Sequence, residues 1–211
     1  MVAMIQSKVD AVPAGEHVPT ADQRIVFRVD WDGFEKLLEV RGDRSPPRVA
    51  YLDGVVELMS PGFGHEHVKS HIGRVLETYM DHLRVTYTCV GSWLIKQRET
   101  KAGVEPDECY LFGREWVNDR PTKPDLAIEV VWTSGGLNKL EIYRRLGVRE
   151  VWFWIDGAIG VHELTVNGYE ARARSVFLPG VDLTVIAEVL QIECTSDALA
   201  EMRARLARLN G

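Results

Sequence analysis

The chain is 211 residues long, with 45% hydrophobic and 27% charged residues, which is the composition of an ordinary globular domain. Its 25 basic and 31 acidic residues give a formal net charge of −6, so nucleic-acid binding would need a local basic patch or a metal ion. Three scattered cysteines without C-x-x-C spacing argue against a disulfide framework and a zinc ribbon, and favour a cytoplasmic setting. No apolar run approaches the roughly 20 residues of a membrane-spanning helix, so we expect no membrane segment.

The N-terminal part of the chain predicts a flexible arm and then an ordered hairpin. Residues 1–23 lack the apolar run of a signal peptide, and a single domain is expected over residues 24–211. This domain begins with a short strand and a helix that starts near Asp32. A hairpin follows, with Asp53-Gly54 as its turn, because this dipeptide is common in tight hairpins. Apolar residues at helical spacing from Val68 to Tyr79 then predict one amphipathic helix.

From Val85 the apolar period changes to two, which predicts three consecutive strands. The second strand, GVEPDECYLF, carries Asp107, and the third, PDLAIEVVW, carries Glu129. The helix LNKLEIYRRL and the strand REVWFWID follow, so this part predicts a βαβ unit with two parallel strands. Short outer strands, DLTV among them, and a last helix, TSDALAEMRARLARLN, complete the chain. The expected class is α/β, with a mixed sheet flanked by helices.

Glu129 is the most informative residue because it is the only acid in an otherwise apolar strand. A buried carboxylate has to be paired, hydrogen-bonded or bound to a cation. If Asp107 on the adjacent strand faces the same side, the two carboxylates can share one Mg²⁺ or Mn²⁺ ion, which prefers such oxygen ligands. An ion of this kind activates water and neutralises charge on a reacting phosphate. Lys139, on the helix after Glu129, is the nearest lysine that could orient the water.

Other interpretations of the same residue types stay open. An acid at a strand end commonly caps the strand, and a lysine in the first turn of a helix is commonly solvated. His67 and His71 lie four residues apart on one helix face, which leaves a zinc site open. The glutamate of the H-E-x-x-H metalloprotease motif is missing between them.

Three segments resemble a known family: YLDGVVELMSPGFGHEHV, GVEPDECYLF and PDLAIEVVWTSGGLNKLEIYRRLGVREVWFWID. In wording and in order they are similar to the Uma-type restriction endonuclease family, a branch of the PD-(D/E)xK nuclease superfamily. The similarity runs from about Val26 to Val185. It implies a restriction-endonuclease-like core that binds Mg²⁺ and hydrolyses phosphodiester bonds. An N-terminal hairpin and C-terminal strands and helix are then additions to this core, and DNA is the expected partner.

The resemblance also implies roles for individual residues. Asp107 matches the aspartate of the PD element, and Glu129 matches the acid of the (D/E)xK element. Val131 stands where the lysine of that element is expected, so the resemblance transfers the role of the lysine to Lys139.

Two more residues match recurrent positions of the family, and one is held in reserve. Glu57 and His65 are expected to face the same pocket, with Glu57 as a further metal ligand or a residue behind the ligands. Asp125 is the reserve candidate because it forms a second Pro-Asp and shares the strand face of Glu129.

Two functions remain open at this point. The first is a Mg²⁺-dependent endonuclease, and the second is a catalytically inactive nucleic-acid-binding or assembly module of the same fold. The net charge of −6 and Val131 favour the second. A homodimer is expected, since cutting both strands of a duplex calls for two sites, and the apolar face of the last helix is the candidate seam.

Overall fold

The computed structural model describes residues 21–44, 46–113, 121–132 and 136–209. The arm was predicted over residues 1–23, and residues 1–20 of it lie outside the described residues. Its last residue, Gln23, already belongs to the first strand. The helices are α1 (Trp31–Arg41), α2 (Phe63–His82), α3 (Lys139–Leu146), α4 (Leu183–Val189) and α5 (Thr195–Leu209). The strands are β1 (Gln23–Arg28), β2 (Arg48–Leu52), β3 (Val55–Ser60), β4 (Tyr87–Cys89), β5 (Ile95–Gln97), β6 (Ala102–Val104), β7 (Glu108–Phe112), β8 (Leu126–Val131), β9 (Glu150–Ile155), β10 (Ala158–Thr165) and β11 (Gly168–Arg172).

Within the described residues the strands form two sheets. The first sheet has the order β1-β3-β2-β6-β5 and is antiparallel throughout. The second has the order β11-β10-β9-β8-β7-β4, and its β8 and β9 run parallel while the other pairs are antiparallel. The predicted α/β class, with a mixed sheet flanked by helices and an extra N-terminal hairpin, is therefore confirmed.

The two faces of the second sheet are covered by different elements. Ile128 and Val130 of β8 pack in one core with α2, α4 and α5. Ala127 of β8 lies in another core, which it shares with α3 and with strands β2, β5 and β6 of the first sheet. Because side chains alternate along a strand, Glu129 lies on the Ala127 face, between the two sheets.

The predicted βαβ unit and the predicted hairpin are both present. β8 pairs in parallel with β9, and α3 ends at Gly147 in the left-handed conformation, with φ 67°. β2 and β3 pair as a hairpin in which Leu52 lies opposite Val55. Asp53 and Gly54 join them with φ values of 46° and 83°, as a type I′ turn requires.

The predicted three-strand meander after Val85 is wrong. The segment forms five short strands, of which β5 and β6 belong to the first sheet while β4, β7 and β8 belong to the second. The chain crosses between the sheets at Glu105-Pro106-Asp107, where the proline has no amide hydrogen to continue a ladder. Asp107 therefore lies at a crossing between sheets, directly before β7, and not inside a strand.

The predicted outer strand DLTV is also wrong, because this segment begins α4. The Asp182 side chain accepts hydrogen bonds from the amides of Thr184, at 2.9 Å, and Val185, at 3.3 Å, and so caps the helix. Ile186 and Val189, three residues apart, are fully buried on the inner face of α4. Four residues were too few to separate a strand from a helix by periodicity.

The apolar face of α5 is not a free seam. Ala198, Met202 and Leu206 are at most 1% exposed and lie in the core that α5 shares with α2. The proposed dimer seam on this face is therefore wrong, because the chain itself covers it. A search of the described helices for a membrane span finds none that is sufficiently long and apolar.

Candidate active site

Glu129 is held by two side chains of the helix that follows its strand. Lys139 and Tyr143 lie four residues apart on α3, so they share one helix face. The Lys139 Nζ lies 3.2 Å and 3.4 Å from the two carboxylate oxygens of Glu129, and the Tyr143 hydroxyl donates to Oε1. Burial and the Glu129 charge raise the pKa of Tyr143, so the phenol stays protonated and donates. Glu129 is only 4% exposed, and its burial is compensated by these contacts.

Glu57 of β3 reaches the same place from the first sheet. It is 4% exposed, and its Oε2 accepts a hydrogen bond of 2.9 Å from the amide of Leu137, just before α3. The Arg24 Nε of β1 lies 3.7 Å from Glu57 Oε1. Glu57, Glu129 and Lys139 line one cavity of about 50 Å³, which has room for a water molecule or a small cation. The remaining lining residues are Arg24, Met59, Val130, Val131 and Leu137.

Asp107 lies beside this cavity and is 1% exposed. Its Oδ2 accepts a 2.7 Å hydrogen bond from the amide of Val130, the residue after Glu129. Its Oδ1 lies 2.9 Å from His65 Nε2 and also accepts from the guanidinium of Arg48. The carboxylate is thus fixed at the edge of β8 by one amide and two side chains.

The strand register explains why Asp107 and Glu129 come to the same edge. In the antiparallel pair of β7 and β8, Glu108 lies opposite Ile128. Asp107 precedes Glu108 and Glu129 follows Ile128, so the two acids are level with each other one step beyond this ladder.

A chain of polar contacts links Asp107 to Glu57. His65 Nδ1 lies 3.1 Å from Asp22 Oδ2, and Asp22 Oδ2 lies 3.3 Å from Arg24 NH2, which belongs to the guanidinium that approaches Glu57. Burial lowers the pKa of His65, although the neighbouring Asp22 carboxylate acts in the opposite direction. Its two ring nitrogens each face a carboxylate oxygen, that of Asp22 on one side and that of Asp107 on the other.

The chemistry of the donor set fits a divalent cation. The carboxylates of Asp22, Glu57, Asp107 and Glu129 meet in this region with the cationic side chains of Arg24, Arg48 and Lys139. Carboxylate oxygens at a small cavity suit Mg²⁺ or Mn²⁺. Lys139 and Arg24 place positive charge beside Glu129 and Glu57.

A model of the Uma2 family, described as "Putative restriction endonuclease", matches residues 31–198. The chain belongs to the Uma2 family. A search of curated proteins found no match. Among solved structures, the chain is similar to a putative nuclease belonging to DUF820 from Anabaena variabilis ATCC 29413. The two share 12% identity with a TM-score of 0.45, and the similarity covers 78% of this chain and 96% of that chain.

The residues that the Uma-type resemblance assigned come to adjacent positions in this Uma2 member. Glu57, Glu129 and Lys139 meet at the cavity. Asp107 and His65 meet beside it and are connected to it through the Val130 amide. Their catalytic and metal-binding roles remain predictions.

Two other candidates of the sequence analysis lie elsewhere. The Asp125 carboxylate accepts a 2.9 Å hydrogen bond from the Phe112 amide, at the start of β8 and away from the cavity. The His67 and His71 rings pack edge to face, with centroids 5.2 Å apart. Within the part of the chain that the structure describes, no three His, Cys, Asp or Glu side chains form a ready metal site.

Sequence reasoning missed four side chains of this region. Tyr143 had a usable signal, because it follows Lys139 by one helical turn. Arg24 lies two residues before Val26 and faces the same side of β1, and Val26 lies opposite Glu57 in the β1–β3 pair. Only this sheet pairing brings Arg24 close to Glu57. Asp22 was placed in the arm and Arg48 next to a proline loop, and the sequence alone gave no reason to bring them to Asp107.

Proposed function

We propose that this chain is a Mg²⁺- or Mn²⁺-dependent endonuclease that hydrolyses phosphodiester bonds of nucleic acid, with DNA as its substrate. The observation that carries the proposal is the meeting of Glu57, Glu129 and Lys139 at one cavity, with the buried Asp107 beside it. The Uma2 membership supports a nuclease, and the carboxylates support the metal dependence.

Asp107, Glu129 and Glu57 are the side chains that would hold the ion. When bound, it lowers the pKa of a water molecule and neutralises charge that develops on the phosphate. All three carboxylates are buried and hydrogen-bonded, so their positions are fixed before an ion or a substrate arrives.

Lys139 acts as the lysine of the site. Its ammonium group lies within hydrogen-bonding distance of Glu129 and has further N–H donors for an attacking water or a phosphate oxygen. Val131 also lines the cavity, so residue 131 and residue 139 reach the same space from the strand and from the helix. This geometry supports the transfer of the lysine from strand to helix.

Tyr143 and His65 position the acids. The Tyr143 hydroxyl donates to Oε1 of Glu129, and the Lys139 ammonium group lies 3.2 Å from this oxygen and 3.4 Å from Oε2. His65 holds Asp107 against the Val130 amide. Each side chain contacts an acid of the site, so we assign both of them positioning roles rather than contact with the substrate.

A homodimer is part of the proposal, because hydrolysis of both strands of a duplex requires two such sites. The α5 face is already used inside the chain, so another surface has to carry the contact. Sedimentation equilibrium should give twice the chain mass, and a single-chain mass at assay concentration would remove the dimer.

A second function is favoured by one specific observation. Both Asp107 oxygens are engaged by Arg48, His65 and an amide, and Arg48 already supplies a positive charge there. An inactive nucleic-acid-binding module of the same fold would retain this ion pair permanently. Such a module would bind DNA in a salt-dependent way without turnover.

Cleavage of plasmid and oligonucleotide substrates separates the two functions. We expect strand breaks in Mg²⁺ or Mn²⁺, none in EDTA, and none with Glu129→Ala. Cleavage that persists unchanged in Glu129→Ala contradicts the assigned site, and DNA binding without any cleavage favours the inactive module.

A further inference from the structure

Two aromatic side chains stand in solvent at the edge of the candidate active site. Trp132 directly follows β8 and is 45% exposed, and Phe63 is the first residue of α2 and is 75% exposed. Exposed aromatic side chains that lie close together form an apolar patch, and such patches can mark a binding surface. We refer to Trp132 and Phe63 as the aromatic rim.

Trp132 is held firmly although half of it is exposed. Its ring packs so closely on Gly64 of α2 that a methyl group there would lie 2.7 Å from Cε2 and 3.0 Å from Cη2. Only glycine leaves room for this contact. The Trp132 ring therefore lies against the helix backbone at Gly64, while 45% of the residue remains exposed.

The aromatic rim is next to the residues assigned to the chemistry. Trp132 packs on Gly64, which directly precedes His65, and the His65 ring lies 2.9 Å from Asp107. The ring thus lies where the end of β8 meets the first turn of α2. Phe63 stands on the same turn of α2, stacked with His67 at an interplanar angle of 10°.

The aromatic character of the rim decides which ligand suits it. Stacking of a base on an aromatic ring contributes about 1–3 kcal/mol per base, and it adds to the affinity that cations on the phosphates supply for single and double strands alike. In a duplex both faces of each base are already covered by neighbouring bases.

We propose that the aromatic rim binds unpaired nucleobases and so selects nucleic acid with single-stranded segments next to the scissile bond. This inference rests on the proposed nuclease function, and it names the substrate class for it. Trp132 is the main stacking residue because its ring is fixed, and Phe63 supports a neighbouring base.

Fluorescence anisotropy with labelled oligonucleotides in EDTA tests this without cleavage. The wild type should bind a single strand about tenfold more tightly than its duplex, and more tightly than an abasic strand of the same length. Trp132→Leu should lose about tenfold in affinity for the single strand, while Trp132→Phe should retain most of it. Phe27→Leu is the matched control, because Phe27 is an exposed aromatic residue on β1, 37% exposed.

Equal affinity for the single strand and for the abasic strand would overturn the inference, as would unchanged binding by Trp132→Leu. The failure of this inference is distinguishable from failure of the nuclease proposal. If metal-dependent cleavage is intact and Trp132→Leu binds like the wild type, only the role of the aromatic rim is rejected. If Trp132-dependent binding to single strands is found without cleavage in any metal, only the nuclease function is rejected.

Discussion

Two buried glutamates lie on the neighbouring parallel strands β8 and β9, and their surroundings differ. Glu150 is fully buried, and it accepts hydrogen bonds from the indole of Trp152, the Ser175 hydroxyl and the Val176 amide. All of these donors are neutral and fixed by the fold. Glu129 is 4% exposed and is held instead by a lysine and a tyrosine at the wall of a cavity.

These surroundings give a criterion that separates an acid with a structural role from an acid that we propose to act in catalysis. Glu150 is held by neutral donors that the fold fixes in place, so we expect its role to be limited to the stability of the fold. One partner of Glu129 is a flexible ammonium group, and in the proposed mechanism it moves to a water or a phosphate while a cation takes its place. Burial alone does not distinguish the two acids, whereas the nature of the donors and the adjacent cavity do.

Neutralising Glu129 should have the largest effect on cleavage. We expect Glu129→Gln to reduce cleavage about 10³-fold, since a metal ligand supplies several kcal/mol of transition-state stabilisation. The amide keeps the shape of the side chain, so the thermal midpoint should change little. Initial rates on plasmid DNA and a thermal melt of the same sample measure both quantities. If Glu129→Gln lowers the thermal midpoint together with the cleavage rate, Glu129 has a structural role like that of Glu150.

Glu150→Gln should give the opposite pattern. Its amide group cannot accept from all three donors, and the mismatch should cost about 2–3 kcal/mol of unfolding free energy. For a domain of this size the thermal midpoint should then fall by roughly 5–10 °C. Chemical denaturation measures the loss, and cleavage per folded molecule should match the wild type. Loss of activity in a fully folded sample would show that the comparison is wrong.

Lys139→Met should reduce cleavage about 100-fold, because the ammonium group that orients water is lost. The variant should recover part of this activity when combined with Val131→Lys, which returns a lysine to the strand position at the same cavity. Lys36→Met, at an exposed position of α1, is the matched control and should have no effect. Full activity of Lys139→Met would remove the lysine from the mechanism.

The βαβ region that carries Glu129 could be predicted from sequence, and most of the network around Asp107 could not. An apolar run, a helical stripe and Gly147 specify β8, α3 and β9 locally, so the approach of Lys139 to Glu129 follows from chain order. Asp107 lies where the chain leaves β6 of the first sheet and enters β7 of the second, directly after Pro106. The apolar alternation continues through this crossing, so it predicts one continuous strand of a meander.

Long-range pairing accounts for the remaining errors. Asp22 and Arg48 reach the site only because β1 and β2 pair with β3, which local patterns do not encode. α4 begins with four residues whose β-branched members favour a strand, and the Asp182 cap together with burial against the core overrides that preference.

The smallest effect concerns the helix that carries His65. Burial lowers the pKa of His71 on α2, and the nearby His67 lowers it further. The unfolded chain, with a histidine pKa near 6.5, then takes up the proton first as pH falls. Stability should therefore decrease as the pH falls from about 6.5 toward the pKa of His71 in the folded protein. Above about pH 6.5 the contribution of His71 to stability should be constant. Thermal melts at about pH 7.5 and about pH 5.5 should show a lower midpoint at the acidic value.

His71→Phe separates this contribution from that of His65, whose pKa is lowered in the same direction. The variant should keep only part of the acid-induced decrease in the midpoint. A pH dependence identical to that of the wild type would mean that His71 takes up its proton at an ordinary pKa.

Calorimetric titration of Mn²⁺ into the metal-free protein tests the cavity most directly, because it requires neither substrate nor turnover. The wild type and Glu150→Gln should each bind the ion at up to millimolar concentration, and Glu129→Gln should lose this binding. Absence of heat in the wild type, or equal binding by Glu129→Gln, would contradict the metal-dependent site.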